Sequence, residues 1–173
     1  MEKVSNINFK AQPINTIKIK TFSKNDKKYI PLKTTFVKLE RKNNYDTIAV
    51  NKAAKKWKHA KYMKKIATNF NFANYIPLEL YAITTQMKNF DKLNYKNILG
   101  FAEMRPDNYL KGFTSLYYIQ SKTGAVNNTE TSDKKYKEVG SSILTSLKKI
   151  YKNISLFSED SPMLFMFYKK TIL

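Results

Sequence analysis

The sequence predicts a mixed α/β (α+β) fold in which a mostly antiparallel central sheet is flanked by helices. Short stretches with period-two alternation or dense apolar character recur between turn signals. Longer stretches repeat apolar residues every three or four positions, the spacing of a helix face. Strands and helices mixed in this way pack as layers around one core. A length of 173 residues suits one proper core and is too short for two ordinary ones, so residues 1–173 read as a single domain.

Residues 1–45 form an N-terminal extension with strands. Within it TIKIKTF, residues 16–22, alternates apolar and polar side chains, as a half-buried strand does. SKNDKK turns the chain, and a second strand is expected around 35–39, before the turn-rich KNNYD. From 47 to 70 one helix is expected, because Ala53, Trp57, Ala60, Met63 and Ala67 recur at helical spacing and Ile66 and Phe70 extend the stripe. Lysines 52, 55, 56, 58, 61, 64 and 65 fill its other faces, which reads as a solvated surface over a core stripe. His59 lies on that lysine-rich side and reads as a surface residue.

Three strands follow as an antiparallel meander: LELYAITTQ at 78–86, ILGFAEMR at 98–105 and FTSLYYIQS at 113–121. The polar stretch at 122–138 has no periodicity. VGSSILTSLKKIYKN, 139–153, is an amphipathic helix with Lys148, Lys149 and Lys152 in its last turn, where cations suit the helix dipole. A short strand is expected at 154–158. SPMLFMFYKKTIL, 161–173, closes the chain as an apolar helix with Pro162 in its first turn.

Composition narrows the chemistry. Cysteine is absent, which removes disulfides, thiolate metal sites and a cysteine nucleophile. A single histidine, His59, argues against a histidine-rich metal site or a Ser-His-Asp triad. No apolar run approaches the roughly 18 residues of a membrane span, and the N-terminus lacks the apolar core of a signal peptide. A cytoplasmic, non-membrane setting is therefore expected. The formal net charge of +19 suggests a polyanionic partner. All but two of the 32 basic residues are lysine, however; Arg41 and Arg105 are the exceptions. Sequence-reading proteins lean on arginine for its bidentate fork, and the lysine, asparagine and isoleucine mixture also fits an AT-rich genome.

The loop KYKEVGSS has a logic of its own. Gly140, Ser141 and Ser142 are small, so backbone N–H groups at a helix start can approach an anion, and Lys134, Lys135 and Lys137 add positive charge. The same residues also suit an ordinary helix start, since serine is a favoured N-cap.

Three local matches resemble the GNAT superfamily of acetyl-CoA-dependent N-acetyltransferases, over roughly residues 78–173 as the cofactor-binding core. ILGFAEMR looks like the family's third strand. KYKEVGSSIL is similar to the acyl-CoA signature Arg/Gln-x-x-Gly-x-Gly/Ala, with Lys135 at the basic position, Glu138 at the first glycine and Gly140 at the second. SPMLFMFYKKTIL looks like the later family helix, with Phe167, Tyr168 and Lys170 aligned. The resemblance implies an acetyl-CoA cofactor lying between the strands at 116–120 and 154–158. Leu116, Tyr118, Ile119, Gln120, Lys135, Lys137, Val139, Gly140, Ser141 and Ser142 would bind it. Tyr168 would be the general acid toward the leaving thiolate, a phenol staying protonated at neutral pH. The fourth strand lacks the carboxylate many members carry there. The nearest are Glu103 and Glu79; Glu103 is taken as the base candidate, beside its reading as a structural glutamate.

The resemblance also expects two more strands after the closing helix. In their place the strand at 16–22, or a second copy of the chain in a homodimer, is expected to cover the sheet edge. The implied activity is acyl transfer to an amine, with the acceptor undetermined. High positive charge favours acidic peptides, nucleotides or aminoacyl-tRNA over basic acceptors; family toxins that acetylate aminoacyl-tRNA are similarly small and basic. The alternative is a catalytically inactive GNAT-fold protein that binds nucleic acid or an acidic protein through the lysine-rich helix.

Overall fold

The computed structural model describes residues 10–57, 62–72, 77–122 and 135–156. His59, the closing helix with Tyr168, and residues 123–134 of the polar stretch lie outside the described residues. The chain opens with a long hairpin, β1 (Gln12–Ser23) and β2 (Lys28–Lys38), joined by a turn in which Lys27 has φ of 50°. Alternation in TIKIKTF does what period two requires. Ile19 is buried, Ile17 is half-buried, and the alternating Lys18 and Lys20 face solvent. Strand β2 begins earlier than the sequence suggests and runs through Pro31. Its pairing with the next strand covers only Thr34–Lys38, so the missing N–H of Pro31 interrupts no ladder on that side.

The single helix expected over 47–70 is two: α1 (Asn44–Lys56) and α2 (Met63–Asn71). Trp57 ends α1 in an extended conformation with φ −80° and ψ 113°. Leaving the helix lets its indole bury to 8% exposure with its ring 5.3 Å from that of Phe101. Periodicity cannot reveal such a break, because the apolar spacing of both helices serves the same face. The start of α1 is capped by Asn43, whose side chain accepts the Tyr45 N–H at 3.0 Å.

The meander follows as β3 (Glu79–Thr85), β4 (Ile98–Pro106) and β5 (Thr114–Ser121). The polar stretch then contributes a short strand, β6 (Tyr136–Lys137), before α3 (Val139–Ile150) and β7 (Ile154–Leu156). The seven described strands form one sheet in the order β6-β1-β2-β3-β4-β5-β7, antiparallel except for the parallel pair β5–β7. Strand β1 therefore lies toward the end of the sheet opposite β7. It pairs with β2 and β6, and does not cover the β7 edge as the sequence had suggested.

Helices cover both faces. Val50, Ala53, Met63, Ile66 and Phe70 of α1 and α2 pack on Val37, Leu80, Ala82 and Phe101. On the other face Val139, Ile143, Leu144 and Leu147 of α3 pack on Phe36, Tyr81, Ile83, Met104 and Leu116. Gly100 sets the approach of α3. A Cβ there would stand 2.7 Å from Val139 Cγ1 and 3.1 Å from the Gln120 carbonyl oxygen. No helix among the described residues is long and apolar enough to cross a membrane.

Candidate functional site

One of the register irregularities in the sheet lies at β5. On one side its register against β4 shifts: Glu103 faces Tyr118 and Met104 faces Leu116, so Tyr117 is an extra residue, a bulge. On the other side β7 pairs with it in parallel, Thr114 with Ile154 through Leu116 with Leu156, the last described residue. Beyond that point, through Ser121, the β5 edge turned from β4 has no partner strand among the described residues.

The β5 side chains assigned to cofactor binding are mostly committed to packing. Leu116 is buried in the α3-side core and Ile119 packs against it. Tyr118 stacks on Tyr62 at 5.3 Å, with Lys65 5.7 Å from its ring centre. Gln120 is buried, and its Oε1 accepts the Tyr62 N–H at 3.2 Å, at the start of α2. What β5 can offer a ligand is therefore its backbone.

At the start of α3, no side chain caps the helix. Val139 is buried over Gly100, and Gly140 is half-buried in the first turn. The hydroxyls of Ser141 and Ser142 donate to the carbonyls of Glu138, at 3.1 Å, and of Lys18, at 3.5 Å. Glu138 holds a left-handed conformation with φ 67°, the region that favours glycine. Its carboxylate pairs with Lys20 on β1 at 2.6 Å. A small cleft of about 270 Å³ lies beside this turn, lined by Ile17, Lys18, Glu138, Ser141, Ser142 and Thr145. The two lysine side chains go elsewhere: the Lys135 ammonium lies 5.4 Å from the centre of the Tyr136 ring, and the Lys137 ammonium 3.9 Å from that of Tyr29.

Glu103 lies on the face covered by α1 and α2, with no exposed surface. Asn69 Nδ2 donates to both of its oxygens at 3.1 Å, and Arg105 Nε donates at 2.6 Å. Burial pushes its carboxyl above the usual range, and the Asn69 and Arg105 hydrogen bonds offset this only in part. The Arg105 guanidinium lies 4.3 Å from the Tyr117 ring centre, over the bulge residue. Sequence reading chose Glu103 but missed Asn69, Arg105 and Tyr117. The available signal was the i, i+2 spacing of Glu103 and Arg105, which puts both on one strand face.

A second polar cluster occupies the opposite face. Glu79 accepts from Lys38 and from the hydroxyls of Tyr81, at 3.0 Å, and Tyr151; the two hydroxyls are 2.7 Å apart. At the base of β5, the Asp107 carboxylate accepts from Ser115, at 2.7 Å, from Ser155, and from the Tyr109 and Leu110 N–H groups. Those bonds, Ser155 first, hold its carboxyl well below the usual range. They tie the turn after β4 to the start of the parallel pair. Among the described residues no cluster of histidine, aspartate or glutamate could hold a metal ion. Compared with protein-family models, curated proteins and solved structures, the chain matches none of the three.

Proposed function

We propose that the chain is an acetyl-CoA-dependent N-acyltransferase of the GNAT type. The observation that carries this reading is the β5–β7 pair, the sole parallel contact among the described strands, set beside the β5 bulge at Tyr117. We place an extended arm bearing amide groups, as in pantetheine, along the β5 backbone past this bulge, where it would pair as a strand does. The uncapped start of α3 supplies N–H groups and a positive dipole end for a pyrophosphate. The left-handed conformation at Glu138 falls where the acyl-CoA signature has glycine.

In the reaction the acceptor amine attacks the thioester carbonyl carbon. The C–N bond forms, the C–S bond breaks, the amine gives up a proton and the leaving thiolate takes one. A backbone N–H at the β5 bulge polarises the carbonyl oxygen. Tyr168 is the proposed proton donor to the thiolate. Glu103, having no exposed surface, receives the amine proton only through a water or after Arg105 swings aside.

Calorimetric titration with acetyl-CoA tests the reading. Saturable micromolar binding is expected. Glu138→Gly should tighten it about fivefold, by removing a carboxylate from the helix start, and Tyr168→Phe should keep the affinity and lose turnover. Absence of binding at millimolar cofactor overturns the proposal. A non-catalytic binding protein on the same fold is the second reading. It is favoured by the Lys137 ammonium's contact with Tyr29 of the β1–β2 hairpin and the Lys135 ammonium's contact with Tyr136.

A further inference from the structure

The outer end of the sheet, formed by β6, β1 and β2, carries an arrangement that acyl transfer does not use. Pairing places Lys18 directly opposite Lys33, and Lys20 directly opposite Lys137. Like charges placed opposite one another destabilise a sheet. Here the two pairs lie on one face, the one pointing away from Ile19 and its core. Phe22 and Tyr29 share that face and form a directly opposed pair, their rings 5.3 Å apart and edge to face. Phe22 is 40% exposed, and all four lysines are exposed. Among the described residues the carboxylate contact made by this group is that of Glu138 with Lys20. Among the described residues, no carboxylate lies within ion-pair distance of Lys18 or Lys33.

We propose that this face of the β6–β1–β2 end binds single-stranded nucleic acid. The lysines follow the phosphates while Phe22, braced edge to face on Tyr29, whose ring lies under the Lys137 ammonium, offers its ring surface to an unpaired base. Charge complementarity selects a polyanion, and the aromatic pair among the lysines selects one with exposed bases over one with charge alone. On α1 the exposed aromatic, Tyr45, sits in the first turn under the Lys92 ammonium and in no aromatic pair among the described residues, which is why α1 is not the surface proposed. The site is independent of acetyl-CoA binding, so either proposal can fail without the other.

The test is fluorescence anisotropy of the full chain with a labelled single-stranded oligonucleotide, across a salt series. Binding should weaken linearly on a log–log salt plot. The double variant Lys18→Gln/Lys33→Gln should flatten that slope by about 1.4, two phosphate contacts at ~0.7 each. Phe22→Ala should weaken binding about tenfold with the slope unchanged, because stacking carries little salt dependence. The double variant Lys52→Gln/Lys55→Gln on α1 removes the same net charge and should leave the slope as it was. The duplex of the same sequence should bind more weakly than the single strand. Four results would overturn the proposal: no binding at low salt, equal losses from the α1 and hairpin variants, preference for duplex, or stronger binding to anionic lipid vesicles that ignores Phe22→Ala.

Discussion

Glu103 and Glu79 stand on neighbouring strands, where Glu103 faces Leu80 and Glu79 faces Met104, yet they point to opposite faces of the sheet. Each has a cation and further donors. Their carboxyls nevertheless move in opposite directions. Glu103, with no exposed surface, is pushed up by burial, which one guanidinium and one amide do not offset. Glu79 also feels burial, but its side chain is 38% exposed, and hydrogen bonds from Lys38, Tyr151 and Tyr81 bring it below the usual range. The two phenols are themselves pushed up, burial being the largest cause, and so remain donors. The difference teaches that donor count decides only after solvent access has been settled.

Removing the cation on each side should break the comparison open. Arg105→Met strands Glu103 in an interior with only Asn69 beside it, and should cost about 3–5 kcal/mol. Lys38→Met removes a cation whose side chain is 35% exposed, and should cost below about 1 kcal/mol. Urea unfolding of both variants measures this, with a Glu103→Gln/Arg105→Met double variant expected to recover much of the loss. Equal costs for the two single variants would mean that burial is not what separates the sites.

Asp46 sharpens the contrast with a number. It sits near the start of α1, with no exposed surface, and accepts the Glu40 N–H at 2.8 Å and the Asn43 amide at 3.1 Å. Burial raises its pKa to about 6 against these hydrogen bonds. A raised acid favours the folded state in its protonated form. Its contribution is therefore complete below 3.8 and is lost as pH rises through about 6. Glu79 has the opposite sign: its contribution is present above the ordinary carboxylate value and is lost as pH falls through its lowered one. Asp46→Asn should thus flatten the fall in stability between pH 3.8 and about 6, a change of up to about 3 kcal/mol. Chemical denaturation across that window would show it, and parallel curves for the two proteins would remove Asp46 as the cause.

Strands were the legible part of the fold, because alternation and dense apolar runs are imposed by burial along a single stretch of chain. β1, β3, β4, β5 and α3 lie close to where the residues place them. The break at Trp57 was not legible, because its cause is Phe101, a residue distant in sequence. Nor was β6, whose Tyr136 and Lys137 carry no strand pattern and pair only because β1 offers an edge. At the candidate site, Glu103 could be named from its strand. Its environment could not, since Asn69 reaches it from another element. The lysines at 135 and 137 were read from charge and nearness to a helix start. Their pairing with β1 and the contact with Tyr29 are tertiary facts that no local window contains.

The finest division of the comparison is made by one hydroxyl. Tyr151→Phe removes the phenol that donates to Glu79 and lies 2.7 Å from the Tyr81 hydroxyl. Tyr81 keeps its own bond to Glu79 at 3.0 Å, so no buried acceptor is orphaned and the cost should be about 1 kcal/mol. With one donor fewer, Glu79 should rise toward the ordinary carboxylate value. The acid-side loss of stability would then begin at a higher pH than in the parent chain. A urea series at neutral and acidic pH separates these two effects. If Tyr151→Phe instead costs as much as Arg105→Met, the Glu79 cluster is as closed to solvent as that of Glu103, and the opposite directions of their carboxyls would then rest on donor number alone.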